Sequence, residues 1–329
     1  MELELSLAHC LYQIGEWQEA KFHYHRLEKY NSPEIILRLA LIYEAQQNLP
    51  KAIKYNNLLK DMFPHNPEYY RKLGQLYALG NEFRQAQFSY EQALIIHPND
   101  LRSLYGLAEL LYQLQEFDTC DSLVSIGLEL DATHIGFSFL LSRIQYKKRQ
   151  YEETAQNLWH LSHITELPLF YNNLLGYAYI QIDSLDRAIF FLRRTLQKEA
   201  KNEYALFYLG LAFERKKDYD EALYFFQEAI KAGISDNMHL FYQGSARMYA
   251  HKGKYRSVLA AYEKSMEYKL DNEVYYFMAN NIDVGYKNKR KAIMYYQKYL
   301  DGNPTDKDKR NMAKQRLSLL KQDEFMKIK

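Results

Sequence analysis

The sequence predicts an all-α chain: a solenoid of antiparallel helical hairpins, each about 34 residues long, stacked in chain order. Three observations predict it. A pattern of small and bulky apolar residues recurs in phase along nearly the whole length. Only 13 Gly and 7 Pro occur in 329 residues, few for a loop-rich or all-β protein. Hydrophobic residues make up 47% and charged residues 26%, which supplies both a continuous core and a solvated surface. Length alone suggests about two globular domains, but an internal repeat overrides that reading.

The phase is set by glycines. Tyr70-x-x-Leu73-Gly74-x-x-Tyr77, followed by Ala86, Tyr90 and Pro98, recurs as Asn172, Leu175, Gly176, Tyr179, Ala188 and Leu192. It recurs again as Leu206, Leu209, Gly210, Phe213, Ala222 and Phe226. Gly74 to Gly176 is 102 residues, three steps of 34, and Gly176 to Gly210 is one more step. Extended in both directions, the frame gives units starting near Met1, Pro33, Pro67, Leu101, Ile135, Leu169, Glu203, His239 and Glu273. These units fill residues 1–304, and residues 305–329 are left for a capping helix and tail.

Each element has a physical reason. In the first helix of a unit a small residue marks the close approach of two backbones: Ala8, Ala40, Gly74, Ala108, Ser142, Gly176, Gly210 and Ala246. In the second helix Ala20, Ala52, Ala86, Ala188, Ala222 and Ala292 do the same. A bulky apolar residue opens each second helix: Trp17, Leu49, Phe83, Phe117, Tyr151, Leu185, Tyr219 and Tyr255. Pro64, Pro98 and Pro304 fall where a second helix must stop, because proline cannot continue it. Three units depart from the pattern. The fourth has Cys120 and Gly127 and the fifth Thr154 and Leu161, where alanines are regular, so looser packing is expected there. The ninth carries Asn280, Asp283 and Lys289 at small or apolar positions, which predicts a shortened first helix. From Asp306 to Met326, Ala313, Leu317 and Leu320 share one side of a charged helix, the pattern of a cap over the last hairpin.

The motif and its spacing resemble the tetratricopeptide repeat family, over about nine units and nearly the whole chain. That resemblance implies a right-handed superhelix with a concave surface lined by the first helix of every unit. It also implies a protein-interaction scaffold or adaptor rather than an enzyme. Some members grip a C-terminal carboxylate with a lysine and asparagine clamp. The corresponding positions here hold Leu37, Leu41, Lys72 and Gly106, or Arg71, Gln75, Gly106, Gly136 and Leu140, so that clamp is not expected.

The residues offer no catalytic, cofactor or metal constellation. There is no Walker loop, dinucleotide fingerprint, nucleophile elbow or HExxH. His160 and His163 share a helix face but lack further ligands at metal spacing, so surface histidines are expected. Cys10 and Cys120 describe no disulfide framework and read as small buried hydrophobes. Acidic Glu152, Glu153, Asp118 and Asp121, and the basic runs 147–149 and 287–291, fall at turns and read as solvated charge. With 43 basic against 41 acidic residues the chain lacks the excess of a nucleic-acid binder, so nucleic acid is not the expected partner. No apolar run is long enough to span a bilayer. The opening residues carry no secretory pattern, which favours the cytoplasm, with the periplasm as the alternative if a leader has been removed.

The helical period locates the face expected to bind. Residues at offsets 1, 4, 8, 11 and 12 of each first helix lie together. In the fourth to seventh units eight of these twenty are aromatic, against one of fifteen in the first three and one of ten in the last two. The candidate ligand surface is therefore Tyr105, Tyr112, Phe139, Arg143, Tyr146, Phe170, Asn173, Tyr177, Tyr204 and Phe207. Arg102, Arg143 and Arg215 are expected to meet acidic groups of a ligand. Truncating Tyr146, Phe170, Tyr177 and Phe207 is expected to abolish binding with helicity intact. The expected ligand is a protein, as an extended peptide or a helical segment; the alternative is a recognition arm whose active domain lies outside this chain.

Overall fold

The computed structural model describes residues 2–233, 236–285 and 289–326, with Phe325 and Met326 described by their backbone alone. Met1, Lys287 of the second basic run and the tail 327–329 lie outside the described residues. Two compact units divide the chain, Met1–Arg149 and Gln150–Lys329. Among the described residues the elements are nineteen α-helices and one short 3-10 turn, with no strand.

The first unit holds α1 (Glu2–Gln13), α2 (Trp17–Leu27), a 3-10 turn (Glu28–Tyr30), α3 (Pro33–Ala45), α4 (Leu49–Met62), α5 (Pro67–Leu79), α6 (Phe83–Ile96), α7 (Leu101–Gln113), α8 (Phe117–Leu130) and α9 (Ile135–Lys147). The second holds α10 (Tyr151–Ile164), α11 (Leu169–Gln181), α12 (Leu185–Lys198), α13 (Glu203–Arg215), α14 (Tyr219–Ala232), α15 (Met238–His251), α16 (Tyr255–Tyr268), α17 (Asn272–Gly285), α18 (Lys289–Asp301) and α19 (Lys307–Met326). Within each unit a helix packs on its hairpin mate and on the next hairpin. First helices also touch one another, α5 with α7, α7 with α9, α11 with α13 and α13 with α15, whereas second helices make no comparable contact among themselves. First helices therefore sit on the tighter side of each stack, and the second helices splay.

Starts and stops are built locally. Asn66, Asp100, His134 and Asn202 each accept a backbone N–H from the first turn of the helix that follows. Pro33 and Pro67 stand at first-turn positions where no N–H is needed. Among the described residues, the turn inside each of the first eight hairpins uses one left-handed residue: Gly15, Gln47, Asn81, Gln115, Arg149, Asp183, Lys217 and Gly253. The next N–H reaches back five residues, as in Asn48 N to Tyr43 O and Asp218 N to Phe213 O, both within 3.0 Å. That closes the helix end as a Schellman motif.

The glycines among the small first-helix residues mark tight packing, but what they admit is a side chain of a neighbouring helix rather than a second backbone. Gly74 and Gly106 clasp the Tyr90 ring from two sides: a Cβ on either would stand 2.8 or 2.5 Å from it. Gly210 and Gly244 clasp Phe226 in the same way, at 2.6 and 2.7 Å. Burying a ring of this size stabilises by about 2–3 kcal/mol, and that requires the missing side chains.

Three further expectations fail. Cys10 is exposed, because it lies on the side of α1 turned away from buried Ala8. The fourth hairpin is not loose: Phe137, fully buried, fills the space that a side chain at Gly127 would occupy, and Cys120 is buried and donates to the Ala108 carbonyl. In the fifth unit Thr154 and Leu161 are likewise buried. Helix α17 is not shortened, running 14 residues. Asn280 is exposed, Asp283 accepts from Arg316 of α19 and Lys289 donates to Asp323 of α19, so the polar residues are solvated or paired rather than disruptive. On α19, Ala313, Leu317 and Leu320 are buried in one core with Tyr296 and Tyr299 of α18.

Candidate ligand-binding faces

In the first unit the candidate residues converge between α7 and α9. Arg143 donates through Nη1 to both carboxylate oxygens of Glu109, at 2.8 and 3.0 Å. Its guanidinium lies 4.0 Å over the Tyr112 ring, and the Tyr105 hydroxyl donates to Glu109 at 2.8 Å. Burial works against the Arg143 charge, but the Glu109 carboxylate outweighs it and the guanidinium is held more firmly protonated than usual. Phe139 and Tyr146 are half-buried on the same helix. Tyr105, Tyr112 and Arg143 thus form, with Glu109, a lattice already held by hydrogen bonds and ring stacking.

In the second unit the candidates lie on α11 and α13. Phe170 and Tyr204 are 57% and 44% exposed, a large apolar area to leave in water. Tyr177 meets Tyr208 at 4.9 Å between ring centroids, and Tyr204 meets Tyr208 at 6.4 Å. Asn173 is buried and donates to Asn202, the residue that caps α13. Its Oδ1 has no hydrogen-bond donor among the described residues. Phe207 is different. Its ring packs against Phe226 and Phe241, at 5.7 and 5.1 Å, in the core between α13, α14 and α15.

Two corrections follow. Arg143 and Arg215 are not available to a ligand's acids as expected. Arg143 is held by Glu109, and Arg215 donates to the Ile180 carbonyl and to Gln181 at the end of α11. Phe207 is a packing residue, so its truncation would report on stability as well as on binding. Tyr208 was missed because it stands one position outside the chosen stripe; its spacing of four from Tyr204 was the available signal. His160 and His163 are exposed, with His163 Nδ1 2.8 Å from the Trp159 carbonyl. No helix of the described residues is long and apolar enough to cross a membrane.

The family pattern described as tetratricopeptide repeat matches residues 5–67, 71–119 and 173–237, together more than half of the chain. The chain belongs to the tetratricopeptide repeat family. Among curated proteins, this tetratricopeptide chain is 29% identical over 89 residues to mouse Tetratricopeptide repeat protein 21A. The match covers 27% of this chain and 7% of that much longer protein. Among solved structures it resembles the APC/C hetero-tetramer Cut9–Hcn1, with 14% identity and a TM-score of 0.57 over 93% of this chain and 59% of that one. A human IFIT1 dimer with PPP-AAAA gives 16% identity and a TM-score of 0.52 over 98% and 81%. Both likenesses show the tetratricopeptide fold, an all-α solenoid of stacked hairpins that generally serves as a protein-interaction scaffold.

Proposed function

We propose that this tetratricopeptide chain is a scaffold that binds a peptide or helical segment of another protein on its first helices, with the α11–α13 face as the main contact. One observation carries the reading: Phe170 and Tyr204 stay largely exposed beside Tyr177 and Tyr208, on helices whose other large apolar side chains are buried or half-buried. Rigid rings with few torsions give contact area at low entropic cost. The buried Asn173 carboxamide oxygen, lacking a donor, gives the face a polar group at its floor. Tyr105, Tyr112, Phe139, Arg143 and Tyr146 form a second, more polar face in the first unit.

The test is affinity capture from the native lysate with wild type and with a Phe170→Ser, Tyr177→Ser, Tyr204→Ser variant. Phe207 is left intact so that the fold is not the variable. Partners caught only by wild type, at equal helical circular dichroism, support the reading. An unchanged partner set would overturn it.

A further inference from the structure

The second helices of the second unit carry a surface that the first-helix reading does not use. Beside α12 lie two adjoining concavities of about 510 and 550 Å³, the first shared with α10. Trp159 is 47% exposed and Phe190 61% exposed along this furrow. Trp159 is braced by His163, with ring centroids 4.3 Å apart. Arg187, Arg193 and Arg194 flank these rings.

The three arginines differ from those that bridge to carboxylates within the stacks. Arg143, Arg247 and Arg316 each bind a carboxylate. Among the described residues no carboxylate lies within ion-pairing distance of Arg187, Arg193 or Arg194, and the nearby Asp186 is held by Lys216 at 2.7 Å. Two of them are nonetheless positioned. Arg187 lies 5.8 Å from the Tyr179 ring centroid and Arg193 5.9 Å from that of Phe213. Stacking on a ring orients a guanidinium without neutralising it, so its N–H fork remains able to take a carboxylate. Arg187, Phe190 and Arg194 follow at spacings of three and four, which places an apolar ring between two cations on one helix face.

We infer that this furrow docks an acidic segment of a partner protein, one with an aromatic or large aliphatic anchor between carboxylates. The anchor covers Trp159 and Phe190, and the carboxylates pair with the guanidiniums as charge-assisted, bidentate hydrogen bonds. A protein is favoured over a nucleic acid because the cations are confined to about 10 Å of one helix. The chain as a whole has 43 basic and 41 acidic residues, too even a balance to follow a phosphate backbone.

The test uses the full chain and a randomised peptide library. Peptides enriched in Asp or Glu around one large apolar residue are expected, and the best is then measured by fluorescence anisotropy. The triple variant Arg187→Gln, Arg193→Gln, Arg194→Gln is expected to bind it on the order of tenfold more weakly or worse. Removing three cations elsewhere in the unit, Lys201→Gln, Lys231→Gln and Lys254→Gln, is expected to change binding less than about twofold. Circular dichroism establishes that each variant is folded. No acidic enrichment, equal loss in both triple variants, or tighter binding of a ten-nucleotide oligouridylate probe with the same arginine dependence would each overturn the assignment. Retained partners in the Phe170, Tyr177 and Tyr204 variant would sink the first-helix reading and leave this one standing.

Discussion

Between α7 and α9, and again between α13 and α15, a guanidinium and a carboxylate join successive first helices: Arg143 to Glu109, and Arg247 to Glu214 at 2.7 and 2.8 Å. Between α11 and α13 no carboxylate takes part among the described residues: Asn173 donates to Asn202, Arg215 donates to the Ile180 carbonyl and to Gln181, and Phe170 and Tyr204 face water. The first arrangement uses its strongest hydrogen-bonding groups to hold the stack together. The second holds the stack without an ion pair and leaves aromatic area uncovered. Successive first-helix faces can therefore be closed by an ion pair or left with open aromatic area according to a few side chains.

The sharpest way to break this comparison is to truncate rings on either side of it. Phe207→Ala, in the core of α13 to α15, is expected to cost about 3 kcal/mol, and Phe170→Ala less than about 0.5 kcal/mol, read as shifts in the urea midpoint. Similar costs would mean that Phe170 is structural too.

Packed rings carry a second signature. Burial pushes the hydroxyls of Tyr90 and Tyr262 up to about 12, the latter despite the lowering effect of Arg247. Between pH 10 and 12 the unfolded chain releases these protons and the folded chain keeps them. Their contribution is complete below pH 10 and is lost as pH rises through 12, at about 1.4 kcal/mol per pH unit for each ring. Melting temperature measured from pH 8 to 12 is expected to fall steeply only above 10, and Tyr90→Phe should soften the fall.

Next in size is the ion pair. Glu109→Gln leaves the part-buried Arg143 without a counter-ion and is expected to cost about 1–2 kcal/mol. Adding Arg143→Met should recover most of that, since an apolar side chain can rest on Tyr112. A full loss in the double variant would show that the pair, and not its desolvation, stabilises the face.

The smallest effect concerns the hairpin turns. Lys217, with φ of 62°, holds a left-handed conformation that glycine adopts without strain, so Lys217→Gly is expected to stabilise by about 0.5–1 kcal/mol. Gly253→Ala, at φ of 66°, should cost about 1 kcal/mol. Thermal unfolding of the two variants in opposite directions checks both.

Much of the architecture was legible because it rests on residues that repeat. Gly74, Gly176 and Gly210 mark places where a side chain packs onto a helix backbone, and prolines mark helix ends. The failures share a cause: they depend on which side chain answers another across helices. Gly127 looked like a defect until Phe137 was seen to fill it. Asp283 looked disruptive until Arg316 paired with it. Periodicity placed Arg143 and Phe207 on one stripe with Phe170, but it could not show that Glu109 and Phe241 already engage them. The arginines of α12 lie outside the first-helix stripe, and whether a charge is paired depends on contacts between helices that spacing does not encode.

The clasped rings have a consequence for how the hairpins find their order. A repeat of even pitch lets any hairpin dock on any other, which invites mispairing during folding. Tyr90 fits between Gly74 and Gly106 because both lack a side chain. Slipped by one step of 34, its ring would meet Leu140 where Gly106 belongs, and Gly106 would face Asn56 where a ring belongs. Absent side chains thus act as addresses, telling each hairpin which neighbour is its own.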